Sequence, residues 1–125
     1  MEQFRRTESA VHRTLRGLLD EDADVVVTEV VVLEVLSGAR SELELHRMRR
    51  MFLAFPVLPL NGVADFETAA GLYRACKQAG ESIRKLTDCL IAVPTIAAEA
   101  TLLHADRDFE ILARHTPLRL EPLAA

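Results

Sequence analysis

The sequence predicts an α/β fold built on a mainly parallel sheet flanked by helices. Three observations carry this expectation. Apolar periodicity switches repeatedly between helical stretches and short runs of strand character. The run Asp24–Thr28 (DVVVT) has an uninterrupted β-branched centre, as a strand covered on both faces requires. Helical segments separate the successive strands, and parallel strands need such crossovers.

The elements follow in order. From Ser9 to Leu19, Val11, Leu15, Leu18 and Leu19 share one helical face. Asp24–Thr28 is the first strand. Thr28–Leu36 is apolar and compatible with either strand or helix, and Ser37-Gly38 stops it. Ser41-Glu42-Leu43-Glu44 fits a capping box opening a helix to about Ala54. Phe55–Leu60 is a second strand, whose Pro56 and Pro59 favour an edge. After the Asn61-Gly62 turn, a long helix runs from Asp65 to Ala79, with Gly80 as its stop. Thr87 is the expected N-cap of a helix to about Ala98, and Pro94 is expected to kink or break it. Thr101–Ala105 is a third strand, Asp106–Arg114 a short helix and Pro117–Leu120 a last strand.

The chain of 125 residues suits one domain spanning 1–125, and its 50% hydrophobic content is that of a folded core. No run approaches the length of a membrane-spanning helix, and MEQFRRTESA lacks the apolar centre of a secretory signal. Cys76 and Cys89 form neither a metal-ligand spacing nor a disulfide framework, so a reducing cytoplasm is the expected location. A net charge of −4 excludes the strongly basic surface of a sequence-reading nucleic-acid binder. It leaves room for an enzyme that meets nucleic acid through metal ions. Thirteen arginines against two lysines fit either a compositional bias or a preference for planar contacts to phosphate.

Four carboxylates stand out. Glu34 is embedded in VVVLEVL; Asp88 precedes CLIAV; Asp106 and Asp108 follow the third strand, at the strand ends where α/β sites form. A carboxylate in apolar surroundings must be paired, hydrogen-bonded or bound to a cation. Each also has a purely structural reading: Glu34 paired with Arg40, Asp88 as a first-turn helix acid, and Asp106 or Asp108 as an N-cap. Together they make a set of hard oxygen donors with no His or Cys cluster, which suits Mg²⁺ or Mn²⁺ rather than zinc. Such sites serve phosphodiester hydrolysis. His12, His46, His104 and His115 have no metal-ligand spacing and read as structural or solvated. Ser41 and Ser82 have no base nearby in sequence, and Arg47, Arg49 and Arg50 read as a solvated basic face or as contacts to phosphate.

Three segments, TEVVVLEVLSG (28–38), DCLIA (88–92) and LHADRDF (103–109), resemble the three downstream motifs of PIN domains. The likeness is closest to VapC-type toxins of toxin–antitoxin pairs and covers essentially the whole chain. It implies a PIN-like three-layer fold and a Mg²⁺-dependent endoribonuclease acting on structured RNA such as tRNA or rRNA. It also implies a VapB-type antitoxin partner covering the acidic groove, and a homodimer. By motif, Glu34, Asp88 and Asp106 match the family's metal-site acids, and Asp108 a further supporting acid. The resemblance further implies that Arg84 and Lys85, which precede DCLIA, meet RNA phosphate.

The family's opening strand, ending in Asp-Thr or Asp-Ser, has no counterpart here. The first residues resemble the segment that follows it, and Glu2 and Glu8 are poor substitutes for its Asp. The expectation is therefore a PIN-like domain incomplete at its N-terminus, lacking the first central strand, with Met1 internal to a longer reading frame. The alternative function is a truncated, non-catalytic module that binds an antitoxin without cutting RNA. A phosphoacceptor signalling domain would need a lysine ending its last strand, and Lys77 and Lys85 both precede the third strand.

Overall fold

The computed structural model describes the backbone of residues 2–124 and the side chains of residues 10–124. The side chains of Glu2 and Glu8 thus lie outside the described residues. The element order is the expected one: α1 (Glu2–Asp20), β1 (Val27–Thr28), α2 (Glu29–Ser37), α3 (Glu42–Phe52), β2 (Val57–Leu58), α4 (Gly62–Gln78), α5 (Leu86–Ala97), β3 (Thr101–Leu102), α6 (Arg107–His115) and β4 (Arg119–Leu120). No helix among the described residues is long and apolar enough to cross a membrane.

Every strand is shorter than its sequence pattern suggests. β1 pairs in parallel with β2 (Val27 opposite Val57), and β3 in parallel with β4 (Thr101 opposite Arg119). These are two separate two-stranded sheets, so each described strand has a single neighbour. Without a second neighbour, the flanking residues find no further ladder partner. The ambiguous 28–36 segment is settled as helix because the Thr28 hydroxyl accepts the Val31 N–H and caps it.

Local signals explain most helix ends. Ser41 caps α3 by accepting the Glu44 N–H at 3.1 Å, while the Glu44 carboxylate returns to the Arg40 N–H. At Gly80 (φ 89°), the Glu81 N–H bonds the Cys76 carbonyl and the Gly80 N–H that of Lys77, closing α4 in a Schellman turn. The same turn ends α5 without glycine: Glu99 takes φ 53°, its N–H bonds Ile96, and the Ala100 N–H bonds Thr95.

Two expectations about α5 are corrected. Its N-cap is Lys85 rather than Thr87, which lies inside the helix. Pro94 does not end it; the helix continues to Ala97. Proline removes one donor, but Val93, Pro94 and Thr95 are all buried, and their tertiary packing holds the helix through this point. The Thr95 hydroxyl gives the Ile91 carbonyl an additional bond of 2.8 Å.

The core lies among α4, α5 and α6, where Cys76, Cys89, Ala92 and Leu112 are essentially sealed from solvent. Truncating Leu112 to Ala would cost roughly 2–5 kcal/mol, the range for a fully buried leucine. Packing of α5 against β1, β3, α4 and α6 makes it the central element. Its N-terminal turn, carrying Asp88, is therefore rigidly placed.

Candidate metal centre

Three of the four sequence-selected acids converge. One carboxylate oxygen from each of Asp88, Asp106 and Asp108 lies within 4.8 Å of the other two. Asp88 comes from the first turn of α5; Asp106 is the N-cap of α6, and Asp108 lies in its first turn. The structural readings of Asp88 and Asp106 thus hold alongside their membership of the group. Asp106 Oδ1 accepts the Asp108 N–H at 3.0 Å, which starts α6 and places both acids together.

The three carboxylates have different surroundings. Asp108, 3% exposed, accepts the backbone N–H groups of Arg84 (2.9 Å) and Lys85 (3.1 Å) on its Oδ2. Asp106 is partly exposed and faces the Lys85 ammonium, 3.8 Å from its Oδ2. Asp88 is also 3% exposed, and its Oδ2 is buried with no hydrogen-bond partner. Burial raises the Asp88 pKa to about 7, reinforced by the charges of Asp106 and Asp108 and more weakly by Glu34; Lys85 opposes the shift.

Glu34 stands outside the converging group. It is exposed on α2, and among the described residues no ion pair joins it to Arg40. Its charge nevertheless adds a small contribution to the raised Asp88 pKa.

The donor set passes a test of fit for a hard divalent cation. All three donors are carboxylate oxygens, and one is a dry oxygen left unpartnered between two like charges. A proton or a cation relieves that arrangement, and a small divalent ion can engage all three groups.

Sequence reasoning passed over one neighbour. His104, set aside as structural or solvated, lies beyond the end of β3 and accepts the Asp106 N–H on Nδ1 at 3.1 Å. Burial lowers its pKa, against the opposing charges of Glu110 and Asp106. A histidine two residues before a candidate ligand was the available signal. Asp108, expected as a supporting acid or an N-cap, also ties α6 to the segment entering α5. Cys89 follows Asp88 but is sealed in the core, its thiol pKa pushed to about 11 mainly by burial, so it remains a neutral packing group. On another side, Glu81 is clamped by Arg114 and by His115 Nε2 at 2.8 Å, joining the α4–α5 connection to the end of α6.

Comparison with known proteins gives concordant results. Residues 5–115 match the PIN domain. The chain is 38% identical over 120 residues to VapC ribonuclease Mb1587 of Mycobacterium bovis, covering 95% of this chain and 90% of that one. Ribonuclease VapC11 of Mycobacterium tuberculosis matches with the same identity and coverage. Ribonuclease VapC51 of M. tuberculosis is 30% identical over 112 residues, covering 90% of this chain and 80% of the other.

Proposed function

The chain belongs to the PIN-domain family, and on that premise we propose that it is an endoribonuclease toxin using Mg²⁺ or Mn²⁺ to cut structured RNA of the tRNA or rRNA class. The convergence of Asp88, Asp106 and Asp108 around an unpartnered buried carboxylate oxygen carries this reading. The names of the 38%-identical relatives support its ribonuclease part.

Asp88, Asp106 and Asp108 would hold the cation, with Glu34 contributing negative potential from α2. When bound, such an ion supplies charge neutralisation for the phosphodiester and acidifies water. Asp88 offers a desolvated charge, which attracts a cation more strongly than a hydrated one. Asp108 keeps the start of α5 in register with α6 through two backbone N–H groups. The Lys85 ammonium, exposed beside Asp106, would meet a backbone phosphate as the RNA approaches.

The same reading includes a VapB-type antitoxin that lays a cationic side chain near Asp88 or Asp106. It also includes a homodimer and cytoplasmic residence, the last supported by the two free buried thiols. A complex with the partner bound far from the acidic group would remove the antitoxin part.

The deciding experiment compares Asp88→Asn with Arg49→Ala for Mg²⁺-dependent RNA cleavage and growth inhibition. Asp88→Asn should abolish both, while Arg49→Ala, on exposed α3, should leave most of the activity. Comparable losses from both, or no cleavage by the unsubstituted chain, would support the non-catalytic antitoxin-binding reading.

A further inference from the structure

We propose that His104 is a positioning residue for Asp106, holding that carboxylate in the acidic group through the hydrogen bond from the Asp106 N–H to the His104 ring. This deepens the metal-centre reading above and rests on it.

β3 ends at Leu102 and α6 begins at Arg107, so the intervening residues belong to no helix or ladder. Within this span the Asp106 N–H donates to His104 Nδ1 at 3.1 Å. A side-chain acceptor two residues before the donor is the geometry of an Asx or ST turn, with a ring nitrogen replacing oxygen. The turn accompanies extended Asp106 backbone (φ −118°, ψ 135°), from which Oδ1 caps α6 and Oδ2 faces Lys85.

The ring itself is anchored. It lies 5.4 Å from the Phe109 ring at 60°, and Phe109 is a core residue. Placement therefore runs from the core through Phe109 to the imidazole, then to the Asp106 amide and its carboxylate. Because Nδ1 accepts, the neutral ring carries its proton on Nε2. His104 does not belong to the converging acid group; its influence passes through Asp106.

Two substitutions separate ring from acceptor. His104→Phe keeps an aromatic partner for Phe109 and removes the acceptor. His104→Asn removes the ring and retains an acceptor able to reach the N–H two residues on. Mn²⁺ affinity is measured by calorimetry on the whole chain, with melting temperature and RNA cleavage recorded alongside.

A folded His104→Phe should bind Mn²⁺ roughly ten-fold or more weakly, the usual effect of removing a group that orients a ligand. His104→Asn should stay within about three-fold of the unsubstituted chain, because the turn is preserved. Unchanged affinity in His104→Phe overturns the proposal, as does an equally large loss in a folded His104→Asn. Should His104→Phe fail to fold, the asparagine arm decides alone: retained affinity supports the acceptor role and lost affinity defeats it. If the unsubstituted chain binds Mn²⁺ but cuts no RNA, the ribonuclease reading fails while the affinities still judge His104. No Mn²⁺ binding by the unsubstituted chain overturns both.

Discussion

Asp108 grips Lys85 across the fold: its Oδ2 accepts the Lys85 backbone N–H at 3.1 Å and shares that oxygen with the Arg84 N–H. The first turn of α6 is thereby fastened to the entry of α5, the helix that carries Asp88. Removing this acceptor by Asp108→Ala should destabilise the chain by about 2 kcal/mol, the scale for losing charge-assisted hydrogen bonds. Asp108→Asn keeps an acceptor and should lose much less. Urea unfolding of both variants checks this; equal losses would show that charge, rather than the acceptor, matters.

Asp88 should make the cation-free chain less stable as pH rises. Below its ordinary value of 3.8, folded and unfolded chains both hold the proton. Between that value and about 7 only the folded chain retains it, so stability falls with pH across this window. At roughly 1.4 kcal/mol per pH unit, the penalty is on the order of 4 kcal/mol by pH 8. Asp88→Asn should abolish most of the slope and stabilise the cation-free chain at pH 8 while removing cleavage. Denaturation curves at several pH values in a chelator test this; a variant retaining the slope would contradict it.

Divalent cations should reverse that penalty. Mn²⁺ or Mg²⁺ binding only to the folded chain adds about 2.7 kcal/mol at a hundred-fold excess over its dissociation constant. The melting temperature should rise with cation concentration for the unsubstituted chain and barely move for Asp88→Asn. Equal rises in both would place the bound ion elsewhere.

Glu81 works in the opposite direction to Asp88. Hydrogen bonds from Arg114 and then His115 lower its pKa from 4.5 to about 2. Its contribution to stability is complete above 4.5 and is lost as pH falls towards 2. Glu81→Gln should therefore be less stable than the unsubstituted chain at pH 7, with the difference shrinking as acid is added. A constant gap in denaturation midpoint would show that packing dominates.

Glu99 occupies the left-handed position that ends α5, at φ 53°. Glycine takes that conformation without a Cβ penalty, so Glu99→Gly should raise stability by about 1 kcal/mol. The Arg119 guanidinium donates to the Glu99 carbonyl, a backbone contact that the substitution retains. A melting temperature that falls instead would mean that the glutamate side chain stabilises this turn.

The sequence by itself determined the succession of elements and the local devices that start and stop them. Ser41 caps a helix three residues from its partner N–H, and the turn at Gly80 ends one through bonds that reach at most five residues back. Such contacts are legible because both partners fall within one turn of chain. Asp88, Asp106 and Asp108 were also legible as candidates, since carboxylates beside apolar runs require an explanation. Only the tertiary structure decided what each acid does. It brought three together, left Glu34 exposed outside them, and gave Asp108 two amides but the Asp88 Oδ2 none. It likewise cut the strands to two residues and carried α5 through Pro94. The physical reason is separation along the chain: the bond from Arg84 to Asp108 spans 24 residues, and burial at Asp88 comes from helices packed around it. No local pattern encodes which oxygen will be left dry when those helices close.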